Sequence, residues 1–116
     1  MAKFVEAGKK GELAEGKMKE VTADGRTILL ARAGDAFFAV DSTCPHMGGN
    51  LSKGKLEGTI VTCPLHGSQF DLSDGHVIRW TNFPSLVSSV AKIIKRPRPL
   101  RTYAVKLEGD RILIEV

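Results

Sequence analysis

Cys44-Pro45-His46-Met47-Gly48-Gly49 and Cys63-Pro64-Leu65-His66-Gly67-Ser68 carry the only two cysteines of the chain and two of its three histidines. Each run pairs a soft sulfur ligand with an imidazole, first as Cys-x-His and then as Cys-x-x-His, with residues 47–62 between the pairs. The prolines and glycines around them suit tight turns about a bulky centre. Four metal-preferring side chains on two such loops point to a metal centre. Zinc accepts a Cys2His2 set and needs no added sulfide, although the single-residue gap in Cys44-Pro45-His46 is unlike common finger spacings. A Cys44–Cys63 disulfide leaves both histidines unexplained. A thiol nucleophile needs only one of the two pairs.

The two runs and their separation resemble those of Rieske-type iron–sulfur proteins, in which two cysteines hold one iron and two histidines the other. The resemblance is close at both loops and looser along the rest of the chain. It implies one 2Fe–2S cluster, with Cys44 and Cys63 on the inner iron and His46 and His66 on the outer, more exposed iron. It also implies a role for Met47 as a cap against solvent and for Ser68 as a hydroxyl bonded to a bridging sulfide. Phe70 stands where higher-potential relatives place a tyrosine, and it cannot donate that bond. Gly49 and Leu65 occupy positions that hold an extra cysteine pair in respiratory-complex relatives, so the respiratory reading loses ground.

The function implied is one-electron transfer between a reductase and a terminal redox enzyme, as in the ferredoxins of ring-hydroxylating oxygenase systems. A Rieske oxygenase would add a catalytic domain and a mononuclear iron site, for which no residues remain. Two further alternatives stay open at this point: a component like the nitrite-reductase small subunit, and a zinc-stabilised Cys2His2 binding module.

At 116 residues, 42% hydrophobic and 26% charged, the chain has the make-up of one soluble globular domain. Its apolar runs, such as Thr27-Ile28-Leu29-Leu30-Ala31, are too short to cross a bilayer. Met1-Ala2-Lys3-Phe4-Val5-Glu6 lacks the apolar stretch of a signal peptide. A cytoplasmic carrier without a membrane anchor, monomeric when free, is the expectation. The net charge of +4 is uneven, with Lys92, Lys95, Arg96, Arg98, Arg101 and Lys106 near the C-terminus. Neither stacking aromatics nor a nucleic-acid motif accompanies them. A docking face for an acidic protein partner is the functional reading, and a solvated surface the simpler one.

Alternation over Lys17–Val21, the turn signal Asp24-Gly25, the apolar run Arg26–Arg32, the turn Gly34-Asp35 and the run Ala36–Val40 predict three strands in a meander. Thr102–Leu107 and Arg111–Glu115 flank Glu108-Gly109-Asp110 as another hairpin, with Tyr103, Val105 and Leu107 on one face. The expected fold is all-β: a Rieske-type antiparallel β-sandwich or barrel base, spanning 1–116 as a single domain, with an inserted cluster-binding subdomain at 42–82. Within it, Leu56–Thr62 supplies strand material and Phe70–Ile78 a strand, a turn and a returning strand. His76 is expected to be a turn-adjacent surface residue. Apolar residues at 86, 87, 90, 93 and 94, between Pro84 and Pro97, predict a short helical insertion over 83–97.

Overall fold

The computed structural model describes residues 3–44, 49–64, 67–79 and 99–116. Among the described residues, eleven strands run in order β1 (Phe4–Lys9), β2 (Met18–Ala23), β3 (Arg26–Ala33), β4 (Ala36–Asp41), β5 (Lys55–Glu57), β6 (Ile60–Thr62), β7 (Gln69–Asp71), β8 (Val77–Arg79), β9 (Thr102–Tyr103), β10 (Val105–Glu108) and β11 (Arg111–Glu115). They form three antiparallel sheets, in the orders β1-β11-β10, β2-β3-β4-β9 and β5-β6-β7-β8. The predicted helical insertion lies outside the described residues.

The β2-β3-β4 meander follows from its turns. Ala23 pairs with Arg26 across Asp24-Gly25, and both turn residues take positive φ, 53° and 76°. That is the backbone twist two-residue hairpins favour, and Asp-Gly adopts it readily. The strand that follows, β3, is buried continuously from Ile28 to Ala31. Continuous burial means that both faces are covered, as in a strand inside a layered structure.

Two cores account for it. Ile28 and Leu30 pack with Ile112 and Ile114 of β11, Phe37 and Ala39 of β4, and Tyr103. Leu29 and Ala31 pack on the opposite side with Val40, Leu51, Val61, Phe70, Leu72, Leu100 and both cysteines. The β2-β3-β4-β9 sheet is therefore the middle layer of three. Complete burial of one leucine or isoleucine is worth roughly 1.5–3 kcal/mol, so β3 alone cements both interfaces.

Thr102–Leu107 departs from the expected single strand. Tyr103 pairs with Ala39 in the middle sheet, whereas Val105 pairs with Ile114 in the outer one. The chain changes sheets at Ala104. Tyr103 and Val105 face the same core, and Leu107, opposite the buried Ile112, shares that face but is 42% exposed on the edge strand. The β1 strand was unanticipated: Gly8 and a register shift between Glu6 and Gly8 blur its alternation. Leu56–Thr62 divides at Gly58 into β5 and β6, paired as a hairpin.

Candidate metal centre

The first cysteine run leaves the middle sheet directly after β4. Its neck is a narrow ladder: Leu51 N–H donates to the Ser42 carbonyl at 2.9 Å, Thr43 bridges Asn50, and Cys44 N–H donates to the Gly49 carbonyl at 2.8 Å. Asn50 then caps a single 3-10 turn at Leu51–Lys53, its side-chain oxygen accepting from Ser52 N–H at 3.0 Å. Leu51 points inward and is fully buried, so the neck is fastened by apolar packing as well as by hydrogen bonds.

The second run sits between β6 and β7. Cys63 N–H donates to the Ser68 carbonyl at 2.7 Å, and Gly67 N–H to the Cys63 carbonyl at 3.2 Å. Gly67 has φ of 73°, a left-handed conformation that suits glycine. Below the loop, Gln69 Nε2 donates to Thr62 Oγ1 at 3.2 Å across the strand pair. One step further, Val61, Phe70 and Val77 stand in cross-strand register and pack on the core.

The two runs also touch through backbone. Gly54, which ends the 3-10 turn, lies so close to Thr62 that a Cβ at this position would run into the Thr62 carbonyl. Thr62 is the residue before Cys63. Only a glycine permits that approach.

No disulfide joins Cys44 and Cys63, which are both 2% exposed and both members of the core beneath the middle sheet. The disulfide alternative is thereby overturned. Ser68 is fully buried, its carbonyl accepting from Cys63 N–H, and Phe70, two positions on, is fully buried as well. His46, Met47 and His66 lie outside the described residues. Two buried sulfurs, on loops closed by backbone and walled by Leu51, Val61, Phe70 and Leu72, fit a thiolate-bound centre that must be shielded from water.

His76 is on the surface, as expected, with its side chain about half exposed. Its backbone N–H and ring Nδ1 both reach Asp74 Oδ1, at 3.0 and 2.5 Å. Those two bonds hold the Asp74 carboxyl below the usual range. In the same turn Asp71 is lowered, chiefly by the Ser73 hydroxyl and then by the Ser73 backbone N–H. The turn is pinned to the segment that leads into β9 by Leu100 N–H donating to the Gly75 carbonyl at 2.8 Å.

One interaction beside the site was not anticipated. Ser42, 2% exposed, donates through Oγ to Glu20 Oε2 at 2.8 Å. The signal was present in the sequence, because alternation through β2 puts Glu20 on the same face as Met18.

Comparison with known proteins places these features in a family. Residues 3–103 match the Rieske [2Fe-2S] domain model. The biphenyl 2,3-dioxygenase ferredoxin component of Rhodococcus jostii (strain RHA1) is 36% identical over 106 residues, which are 91% of this chain and 86% of that one. Among solved structures, the ferredoxin of carbazole 1,9a-dioxygenase from Nocardioides aromaticivorans IC177 superposes with a TM-score of 0.79 at 24% identity, over 96% of this chain and 95% of that one. A Mycobacterium tuberculosis chain assigned as an NADH-dependent nitrite reductase small subunit gives 0.78 at 21% identity, over 100% and 96%. At those identities the two structures speak for the fold alone, and the sequence relationship carries the rest. Among the described residues, no helix is long and apolar enough to cross a membrane. The chain belongs to the Rieske [2Fe-2S] family, and it is a one-electron carrier built around a single 2Fe–2S cluster rather than a catalyst.

Proposed function

We propose that this protein is the ferredoxin of a multicomponent, ring-hydroxylating type of oxygenase system, taking electrons singly from a reductase and delivering them to the terminal oxygenase in the cytoplasm. The observation that carries this reading is the sequence match, nearly end to end, to a dioxygenase ferredoxin component. The nitrite-reductase alternative rests only on a likeness of fold.

In this reading Cys44 and Cys63 hold the inner iron, His46 and His66 the outer one, and residues 42–82 act as the cluster-binding subdomain. Met47 would shield the outer side and Ser68 would donate to a cluster sulfur. When bound, the cluster would supply one-electron redox chemistry. The chain's own contribution is electrostatic and steric. Two thiolates in place of four leave the oxidised site neutral and the reduced site at −1, so an electron enters more easily than at a four-thiolate centre. The buried cysteines and the apolar wall about them keep water from the sulfurs.

The test is chemical and then functional. Purified protein should be red-brown, with about two irons and two acid-labile sulfides per chain. A colourless protein containing only zinc would replace this reading with the binding-module one. Stopped-flow mixing of the reduced protein with a ring-hydroxylating oxygenase, and separately with a nitrite reductase, separates the two redox assignments. Fast oxidation by the oxygenase alone is the expected result.

A further inference from the structure

Strand register assigns two faces to the middle sheet. The face turned toward the ligand loops carries Met18, Leu29, Ala31, Phe38 and Val40. Glu20, opposite Leu29, is the one charged residue on that face in β2, β3, β4 and β9. A carboxylate there breaks the apolar pattern of its neighbours, and such departures gather where function asks for them. Because β2 is an edge strand, Glu20 remains exposed to water. Its charge therefore carries little desolvation cost, while one oxygen reaches inward.

That oxygen meets Ser42. The hydroxyl has one proton to give and two acceptors near it, Glu20 Oε2 at 2.8 Å and Asn50 Oδ1 at 3.3 Å. Asn50 Oδ1 already accepts from Ser52 N–H at 3.0 Å and Ser52 Oγ at 2.6 Å. The shorter, charged partner takes the proton. Ser42 is also bound through its backbone, its N–H to the Thr27 carbonyl at 3.2 Å and its carbonyl to Leu51 N–H at 2.9 Å. One residue thus joins the middle sheet, through Glu20 and Thr27, to the neck of the first loop, two positions before Cys44. The second loop is carried by β6 and β7 of its own sheet.

We propose that Glu20 is a positioning residue for the first ligand loop: by accepting from the buried Ser42 hydroxyl it locks the loop's neck to the middle sheet and sets where Cys44 stands. This rests on Cys44 being a cluster ligand.

The test uses the full-length protein with its cluster, and four variants: Glu20→Met, Glu20→Gln, Ser42→Ala and the double variant Glu20→Met/Ser42→Ala. Met suits the apolar face, so a role in packing alone leaves Glu20→Met neutral or better. Positioning instead makes Glu20→Met raise amide exchange across residues 42–51, and bleaching of the visible spectrum under a chelator, by about tenfold, the size of one hydrogen bond to a charged group. Exchange across residues 60–72 stays at the parent rate. Glu20→Gln, whose amide oxygen still accepts, stays within about threefold of the parent. Ser42→Ala matches Glu20→Met, and the double variant adds nothing, because the two side chains act as one unit.

Parent-like exchange and bleaching in Glu20→Met, a Glu20→Gln as labile as Glu20→Met, or additive effects in the double variant would each overturn the proposal. If the parent lacks iron and sulfide, the cluster assignment falls, and with it this role. A parent with a normal cluster that is indifferent to all four variants sinks the Glu20 proposal alone.

Discussion

In the loop that begins at Cys44, the cysteine N–H donates to Gly49, and in the loop that begins at Cys63 it donates to Ser68, in both cases the carbonyl five positions on. The two closures are the same device, used twice with matching distances of 2.8 and 2.7 Å. What carries each loop differs. The first hangs from the middle sheet through Ser42, Thr27 and Glu20, whereas the second crowns the β6–β7 hairpin. Equal closure gives the two sulfurs equivalent backbone settings. Unequal carriage lets substitutions in β2 and β4 reach the first loop before the second.

The equivalence is most sharply tested at the sulfurs. Cys44→Ser and Cys63→Ser should each lower iron and labile sulfide content about tenfold or more, since a hydroxyl is a poor stand-in for a soft thiolate. Full occupancy in either variant would break the symmetry of the two loops and the ligand assignment with it.

Packing comes next in size. Leu51 and Leu72 belong to the same core and are both essentially buried, one in the first loop's neck and the other just beyond β7. Truncation of either to Ala should cost about 2–5 kcal/mol in urea unfolding. Only Leu51→Ala should also speed amide exchange around Cys44. The contact between the loops is probed by Gly54→Ala, whose Cβ must displace the Thr62 carbonyl. It should cost about 1–3 kcal/mol and disturb the Cys63 loop from a position in the tail of the first. An exchange pattern altered around Cys44 alone would show that the two loops are not coupled there.

Smaller effects concern the second loop only. Hydrogen bonds to cluster sulfurs favour the reduced, more negative state. One such bond of ~1 kcal/mol corresponds to roughly 40 mV for one electron. Ser68→Ala should lower the potential by about that much, and Phe70→Tyr should raise it if the new hydroxyl meets a ligand sulfur, both read by voltammetry. No shift in Ser68→Ala removes Ser68 from the tuning of this centre.

Smallest is Ser73→Ala. The Ser73 hydroxyl is the chief cause of the lowered Asp71 carboxyl. A carboxyl held below its unfolded value stabilises the fold above the ordinary carboxylate range, and the contribution fades as pH falls through the lowered value. At this solvent-screened position, the variant should lose about 0.5 kcal/mol at neutral pH and converge with the parent in acid. A constant difference across the titration would assign the loss to something other than the Asp71 charge.

Much of this is legible in the sequence itself. Asp24-Gly25 and Gly34-Asp35 bracket β3 because turn chemistry is local. The two cysteine runs stand out because few other contexts place Cys and His so close together. The sheet change at Ala104 left no local mark: neither Gly nor Pro interrupts Thr102–Leu107, and the switch of partner from β4 to β11 is a tertiary choice. β1 was hidden by Ala7 and Gly8, which suit a strand poorly and gain their place from pairing with β11. Glu20 was readable in principle through the period of β2, but its partner Ser42 is 22 residues away in sequence, beyond what any local pattern conveys. The predicted roles of His46, Met47 and His66 lie outside the described residues.

β1 and β11 run antiparallel as neighbours, and Val116 N–H donates to the Lys3 carbonyl at 2.8 Å. Both ends of the described chain thus emerge side by side from the outer sheet, on the far side of the middle sheet from the two cysteines. A tether or fused domain at either end leaves the side that carries the two cysteines clear. Force applied between the two ends would unzip β1 from β11 pair by pair before it reached the layer that holds the loops. The module can therefore be strung into larger assemblies, or its ends joined and reopened elsewhere, with the layer beneath the two cysteines away from the junction.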